Sequence, residues 1–146
     1  MTKKQTIIIL ALVIVLTTID QILKFIYITK QGIEKQKTTD NISYILISII
    51  SIIILVRYII NNNQFIKMDS RIILSFAIAG ATSNIIDRIW AGNVINNIKI
   101  PSFTDINLSY IYITITWIGM AVILTKYSIN RIKEKKESNG NKNNNS

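Results

Sequence analysis

Apolar residues along this chain arrive in four long runs, at residues 6–28, 42–60, 72–90 and 110–127, separated by shorter polar stretches. Each approaches the ~20 residues that a helix needs to cross the hydrocarbon of a bilayer. The pattern predicts an all-α integral membrane protein, a bundle of four transmembrane helices with short extracytoplasmic loops. A small sheet remnant is expected in 29–41 or 93–104. Residues 1–128 read as the four-span membrane domain and 129–146 as a disordered basic cytoplasmic tail, held near anionic lipid headgroups. The first run is long and no small-x-small cleavage site follows it, so it is expected to stay as a span rather than leave as a signal peptide.

The polar interruptions of these runs are uneven. Asp20, Gln21 and Lys24 fall in the outer third of the first run, and Asn84, Asp87 and Arg88 near the end of the third. The second carries only Arg57 near its end, where the side chain snorkels to the headgroups. Helical spacing brings Asn84, Asp87 and Arg88 towards one side of their helix, and Asp20 and Lys24 lie one turn apart. A charge in hydrocarbon costs several kcal/mol unless a partner or water relieves it. Two expectations follow. Asp20–Lys24 and Asp87–Arg88 cross-pair and hold the helices together, or the groups line a polar cavity that binds or processes something.

Composition agrees with a membrane protein: 49% of residues are hydrophobic and the mean hydropathy is +0.36. The chain has no Cys and no His, which excludes disulfides, thiolate chemistry, His-based general base catalysis and most zinc sites. No metal and no cofactor is expected. Net charge is +9, and its distribution points to a bilayer rather than to nucleic acid. With four spans, one side holds Lys3, Lys4, Arg57, Lys67, Arg71, Lys126, Arg131, Lys133, Lys135, Lys136 and Lys142. The other holds Lys24, Lys30, Lys35, Lys37, Arg88 and Lys99. The excess of positive charge on the first side predicts a multi-pass protein of the cytoplasmic membrane with both termini in the cytoplasm. Residues 29–41 and 91–109 then lie outside, with the polar set of both helices at the same depth. Trp90 and Trp117 with Tyr27, Tyr110, Tyr112 and Tyr127 suit an interfacial aromatic belt. Gly80 and Ala81 with Ser75, Ala77, Ala79 and Ser83 give the third helix a small-residue face for close packing. No Gly-rich phosphate loop is present, and Ser109 has no visible base to activate it.

Four local patterns carry a resemblance. Asp20-Gln21-Ile22-Leu23-Lys24 is similar to D-Q-x-x-K, and Gly80-Ala81-Thr82-Ser83-Asn84-Ile85-Ile86-Asp87-Arg88 to G-A-x-G-N-x-x-D-R. Gly92-Asn93-Val94-Ile95-Asn96 aligns with G-x-V-V-D, and Ile106-Asn107-Leu108-Ser109-Tyr110 with F-N-x-A-D. In this order, over residues 6–125, they resemble signal peptidase II, the lipoprotein signal peptidase family of four-helix membrane aspartic proteases. The resemblance implies cleavage of prolipoprotein signal peptides before a lipid-modified cysteine, with lipid-modified prolipoprotein peptides and the lipid bilayer as partners.

The departures fall on the chemistry. The family's catalytic pair comprises the last residues of G-x-V-V-D and F-N-x-A-D, and those positions read Asn96 and Tyr110. An aspartic mechanism needs two carboxylates sharing a proton, one to activate water and one to protonate the carbonyl or leaving group. An amide exchanges no proton at neutral pH, and a phenol is a poor base. The family's Asn-Thr-Gly-Ala-Ala-Phe box is reduced to Asn41, and both outer loops are short. Stand-in carboxylates are Asp87 and Asp105, with Asp20 a third; Asp105 also suits a turn or helix N-cap. Asn107 is expected to orient a neighbour through hydrogen bonds. The residues leave three functions open. One is a divergent family member that has lost proteolysis and keeps a lipopeptide-binding frame. The others are an active aspartic endopeptidase with a rearranged dyad and a small membrane scaffold or subunit.

Overall fold

The computed structural model describes residues 2–32, 41–61, 67–102 and 104–143, with side chains as far as residue 132. The described residues form α1 (Lys3–Gln31), α2 (Asn41–Asn61), α3 (Met68–Trp90) and α4 (Leu108–Asn143). All four are long and apolar enough to cross a membrane, the apolar part of α4 ending at Ile132. The chain is a multi-pass membrane protein. Most of its large hydrophobic side chains point outwards, Trp117 at 75% and Ile118 at 62% exposure, while Asp20, Lys24, Asp87 and Asn107 are wholly enclosed. Such an arrangement is stable only where hydrocarbon is the solvent and polar groups find partners inside.

Local chemistry sets the helix ends. Thr2 caps α1 in a reciprocal capping box with Gln5, each side chain accepting from the other's backbone N–H. The helix closes at Gly32, whose φ of 78° suits a residue without Cβ and whose N–H donates to the Ile28 carbonyl. The N-cap of α4 is Asn107: its Oδ1 accepts from the Tyr110 N–H at 3.1 Å. Asp105, expected as a cap, stands exposed two residues earlier. Asn107 takes the role because its amide also donates, which a buried position between two helices requires.

Helix α3 packs against all three of the others. Its small residues permit the approach. A Cβ on Gly80 would stand 2.9 Å from the Ser109 carbonyl oxygen, and one on Gly119 of α4 would meet Ile73 at 2.8 Å. Thr116 Oγ1 donates to the Ile73 carbonyl at 3.0 Å and Tyr112 OH to the Leu16 carbonyl at 3.2 Å. Tyr112, assigned to the aromatic belt from sequence, is instead buried with its ring edge-on to Phe76. Ile59, Leu74 and Ile78 form a small apolar core, joined by Val13, Ile52, Leu55 and Met120.

Two further expectations change. In 93–104 the sheet remnant is reduced to an antiparallel bridge that pairs Ile98 with Ile106; residues 33–40 of the other candidate segment lie outside the described residues. The boundary expected at 128 falls inside α4, which continues to Asn143. Lys and Glu, frequent from Lys133 to Glu137, are good helix formers, and α4 runs on through them past its apolar part.

Candidate functional site

The ends of α1 and α3 and the start of α4 meet around one ammonium group. Lys24 Nζ lies 2.7 Å from Asp20 Oδ2 and 2.7 Å from Asp87 Oδ2, with all three side chains essentially without solvent exposure. One turn of α1 separates Asp20 from Lys24, so both face α3; one turn of α3 likewise separates Ser83 from Asp87. Ser83 Oγ and Ser109 Oγ each donate to Asp20 Oδ2 at 2.5 Å. That single oxygen thereby gathers an ammonium from α1, a hydroxyl from α3 and a hydroxyl from α4. Charge-assisted hydrogen bonds of this kind are roughly twice as strong as neutral ones.

Asp87 is the second anchor. Its Oδ1 accepts from Gln21 Nε2 at 2.9 Å, and its Oδ2 accepts from the Ile95 N–H at 3.2 Å. The carboxylate thus fixes α1 and also the loop that follows α3. Gln21 Nε2 reaches Ser83 Oγ at 2.8 Å as well. From Asp87 the network passes to amides: Lys24 Nζ contacts Asn84 Oδ1 at 3.4 Å, and Asn107 Nδ2 lies 3.2 Å from the same oxygen. Asn107 Nδ2 also lies 3.2 Å from the Ile95 carbonyl and 3.3 Å from Asn96 Oδ1. Having two hydrogens for three acceptors, this amide shares them, and in doing so it ties the loop to the first turn of α4.

Arg88 belongs elsewhere. The expected Asp87–Arg88 pair is replaced by Lys24–Asp87, because neighbouring residues on a helix point about 100° apart and Asp87 turns towards α1. Arg88 turns towards α2. Its guanidinium lies 4.6 Å from the centre of the Tyr44 ring, and Nη1 donates to Asn41 Oδ1 at 3.3 Å. Asn41 Nδ2 returns a bond to the Arg88 carbonyl at 2.8 Å. The pair locks the start of α2 to the end of α3.

Of the residues singled out in the sequence, Asp20, Lys24, Asn84, Asp87, Asn96 and Asn107 come together in one connected network. Tyr110 joins it through its backbone, while its side chain is 42% exposed. Asp105 remains exposed outside the network. Sequence reasoning missed the parts played by Ser83 and Ser109, the first treated as a packing residue and the second as a nucleophile without a base. Ser83 had a readable signal in its four-residue spacing to Asp87; Ser109 had none, since its contact with Asp20 joins residues far apart in the chain. Among the described residues no three His, Cys, Asp or Glu side chains converge as a metal site.

Two solved structures share the architecture. A bacterial membrane enzyme determined by the in meso method at 2.3 Å resolution superposes with a TM-score of 0.71 at 22% identity, covering 84% of this chain and 90% of its own. A second bacterial membrane enzyme, determined in the same way at 1.9 Å, gives a TM-score of 0.68 at 22% identity, covering 80% and 91%. At that identity the likeness speaks to the fold alone. No curated protein matches the chain. A family model does, that of signal peptidase II, over residues 2–127. That span takes in α1, α2, α3, most of the apolar part of α4, the Lys24 network and the α3–α4 loop, and the chain belongs to the signal peptidase II family.

Proposed function

We propose that this protein is a signal peptidase II-like membrane protein that has lost proteolysis and kept its helical frame, binding lipid-modified prolipoprotein peptides without cutting them. One observation carries the reading: Asn96 and Tyr110 occupy the positions that the motif alignment gives to the two catalytic carboxylates. Asn96 Oδ1 accepts from Asn107, and an amide has no proton to trade with a water or a leaving group. The buried carboxylates that remain are engaged otherwise. Asp20 and Asp87 both face Lys24 at 2.7 Å, so an ammonium stands between them where an aspartic dyad holds a shared proton. Asp105 is exposed in the loop ahead of α4, unlike the enclosed Asp87.

In this reading Asp20, Lys24 and Asp87 clamp α1, α3 and the loop, Asn84 and Asn107 set the loop on α4, and Arg88 holds α2. The distribution of Lys and Arg supports both termini in the cytoplasm, which sets the network at the extracytoplasmic surface of the cytoplasmic membrane. The test uses the purified protein in micelles with a lipid-modified prolipoprotein peptide. Retention of the peptide without cleavage is expected. Cleavage by the unaltered chain would return the family's proteolytic activity to it through a rearranged dyad, and failure to retain the peptide would leave a scaffold without that ligand.

A further inference from the structure

Between α1 and α3, on the outer surface of the bundle, runs a groove of about 580 Å³. Its lining on α1 begins at Thr17 and Thr18, passes Gln21 and Ile22 and ends at Phe25; on α3 it comprises Ile86 and Trp90. From Thr17 to Phe25 the α1 wall is about 12 Å long at the helical rise of ~1.5 Å per residue. One leaflet of a ~30 Å hydrocarbon core is about 15 Å thick. The groove therefore spans about four-fifths of one leaflet. Trp90, the last residue of α3, stands at its mouth, where an indole favours the interface and offers one N–H donor.

Of the polar side chains in the lining, Thr17 and Gln21 bond towards α3, while Thr18 is exposed. Thr17 Oγ1 donates to the Ala79 carbonyl at 3.4 Å. Gln21 Nε2 bonds inwards to Ser83 and Asp87, which leaves the methylene stem on the groove side. The walls are apolar and open to the bilayer, Ile22 being 52% and Phe25 65% exposed. Directly behind Gln21 lie the three buried charges. Water entering the groove would reach Gln21 and weaken the Lys24 pairs, since electrostatic attraction falls steeply as the local dielectric rises.

We propose that this groove holds one acyl chain of a membrane glycerophospholipid as a bound lipid. The ester end lies at Trp90, the chain runs down past Phe25, Ile22 and Ile86, and the hydrocarbon seals the charge network from water. The proposal concerns a bound lipid and does not depend on the peptide-binding reading above. A phospholipid with a photoactivatable diazirine midway along one acyl chain, incorporated into nanodiscs with the unaltered protein, provides the test. Mass-spectrometric mapping is expected to show saturable labelling of the α1 and α3 groove residues, several-fold above that of Ile47, Ile50 and Ile54 on the exposed face of α2. Ile22→Trp, which fills the groove, should lower that labelling several-fold, whereas Ile50→Trp should not. Labelling that follows exposure evenly around the bundle would overturn the proposal. The map on the unaltered protein decides the matter even if Ile22→Trp fails to fold.

Discussion

Replacing Asp87 by alanine removes a carboxylate of α3 that touches both α1 and the loop. Lys24 loses one of its two 2.7 Å partners, Gln21 Nε2 loses a 2.9 Å acceptor, and the Ile95 N–H loses its acceptor at 3.2 Å. Removing one member of a buried ion pair costs ~3–5 kcal/mol, because the remaining charge stays buried. Asp20 still balances Lys24, which holds the loss near the lower end of that range; the released Ile95 N–H adds ~1–3 kcal/mol if it stays buried without a partner. Asp105→Ala, at an exposed position, should fall within ~0.5 kcal/mol of the unaltered protein. The comparison is made by reversible unfolding in mixed micelles with increasing denaturing detergent, followed by helical circular dichroism. A second arm combines Asp87→Leu with Lys24→Met; losing both partners should cost less than the sum of the single changes, since no charge of that pair is then stranded. Equal stability of Asp87→Ala and Asp105→Ala would refute the clamp and mean that Asp87 is solvated.

Other predictions follow from the same contacts. Ser83→Ala and Ser109→Ala each remove a 2.5 Å donor from Asp20 and should each cost ~1–3 kcal/mol in the same assay, with a double variant that departs from additivity because both act on one oxygen. Gly80→Val should separate α3 from α4, since even a Cβ would meet the Ser109 carbonyl at 2.9 Å; lowered stability and loss of a disulfide engineered across that seam would report it. Reporters fused after residue 35 or 100 should lie outside the cell and those after residue 65 or the tail inside, and an outside tail would reverse the proposed placement of the polar network.

Much of this architecture is readable in the chain because hydropathy over ~20 residues reports helices in a bilayer directly. The four runs match the four helices, and the one-turn spacing of Asp20 and Lys24 anticipates their contact. Pairing between the two helices is readable as well, but adjacency in sequence suggests Arg88 as a partner of Asp87, whereas adjacent helical residues diverge and the partner is Lys24 on another span. Asp105 and Asn107 are both good capping types, and local sequence does not distinguish them; the choice is made by the tertiary acceptors that only Asn107 reaches. Tyr112 shows the same limit, for its hydroxyl finds the Leu16 carbonyl inside the bundle rather than the membrane interface. The end of α4 shows another limit: a run of lysines reads as solvated tail, yet Lys133 to Glu137 are good helix formers and α4 runs on through them.

The central claim is that this family member holds its substrate frame without a working dyad. Turnover of a lipid-modified preprolipoprotein by the purified, unaltered chain in micelles tests it most directly. No cleavage product should accumulate, and Asn96→Asp combined with Tyr110→Asp should restore little, because small misplacements of reacting groups cost orders of magnitude in rate. Cleavage by the unaltered protein that is abolished by Asp87→Asn or Asp105→Asn, with the fold intact, would contradict the claim and assign the chemistry to a rearranged pair of carboxylates.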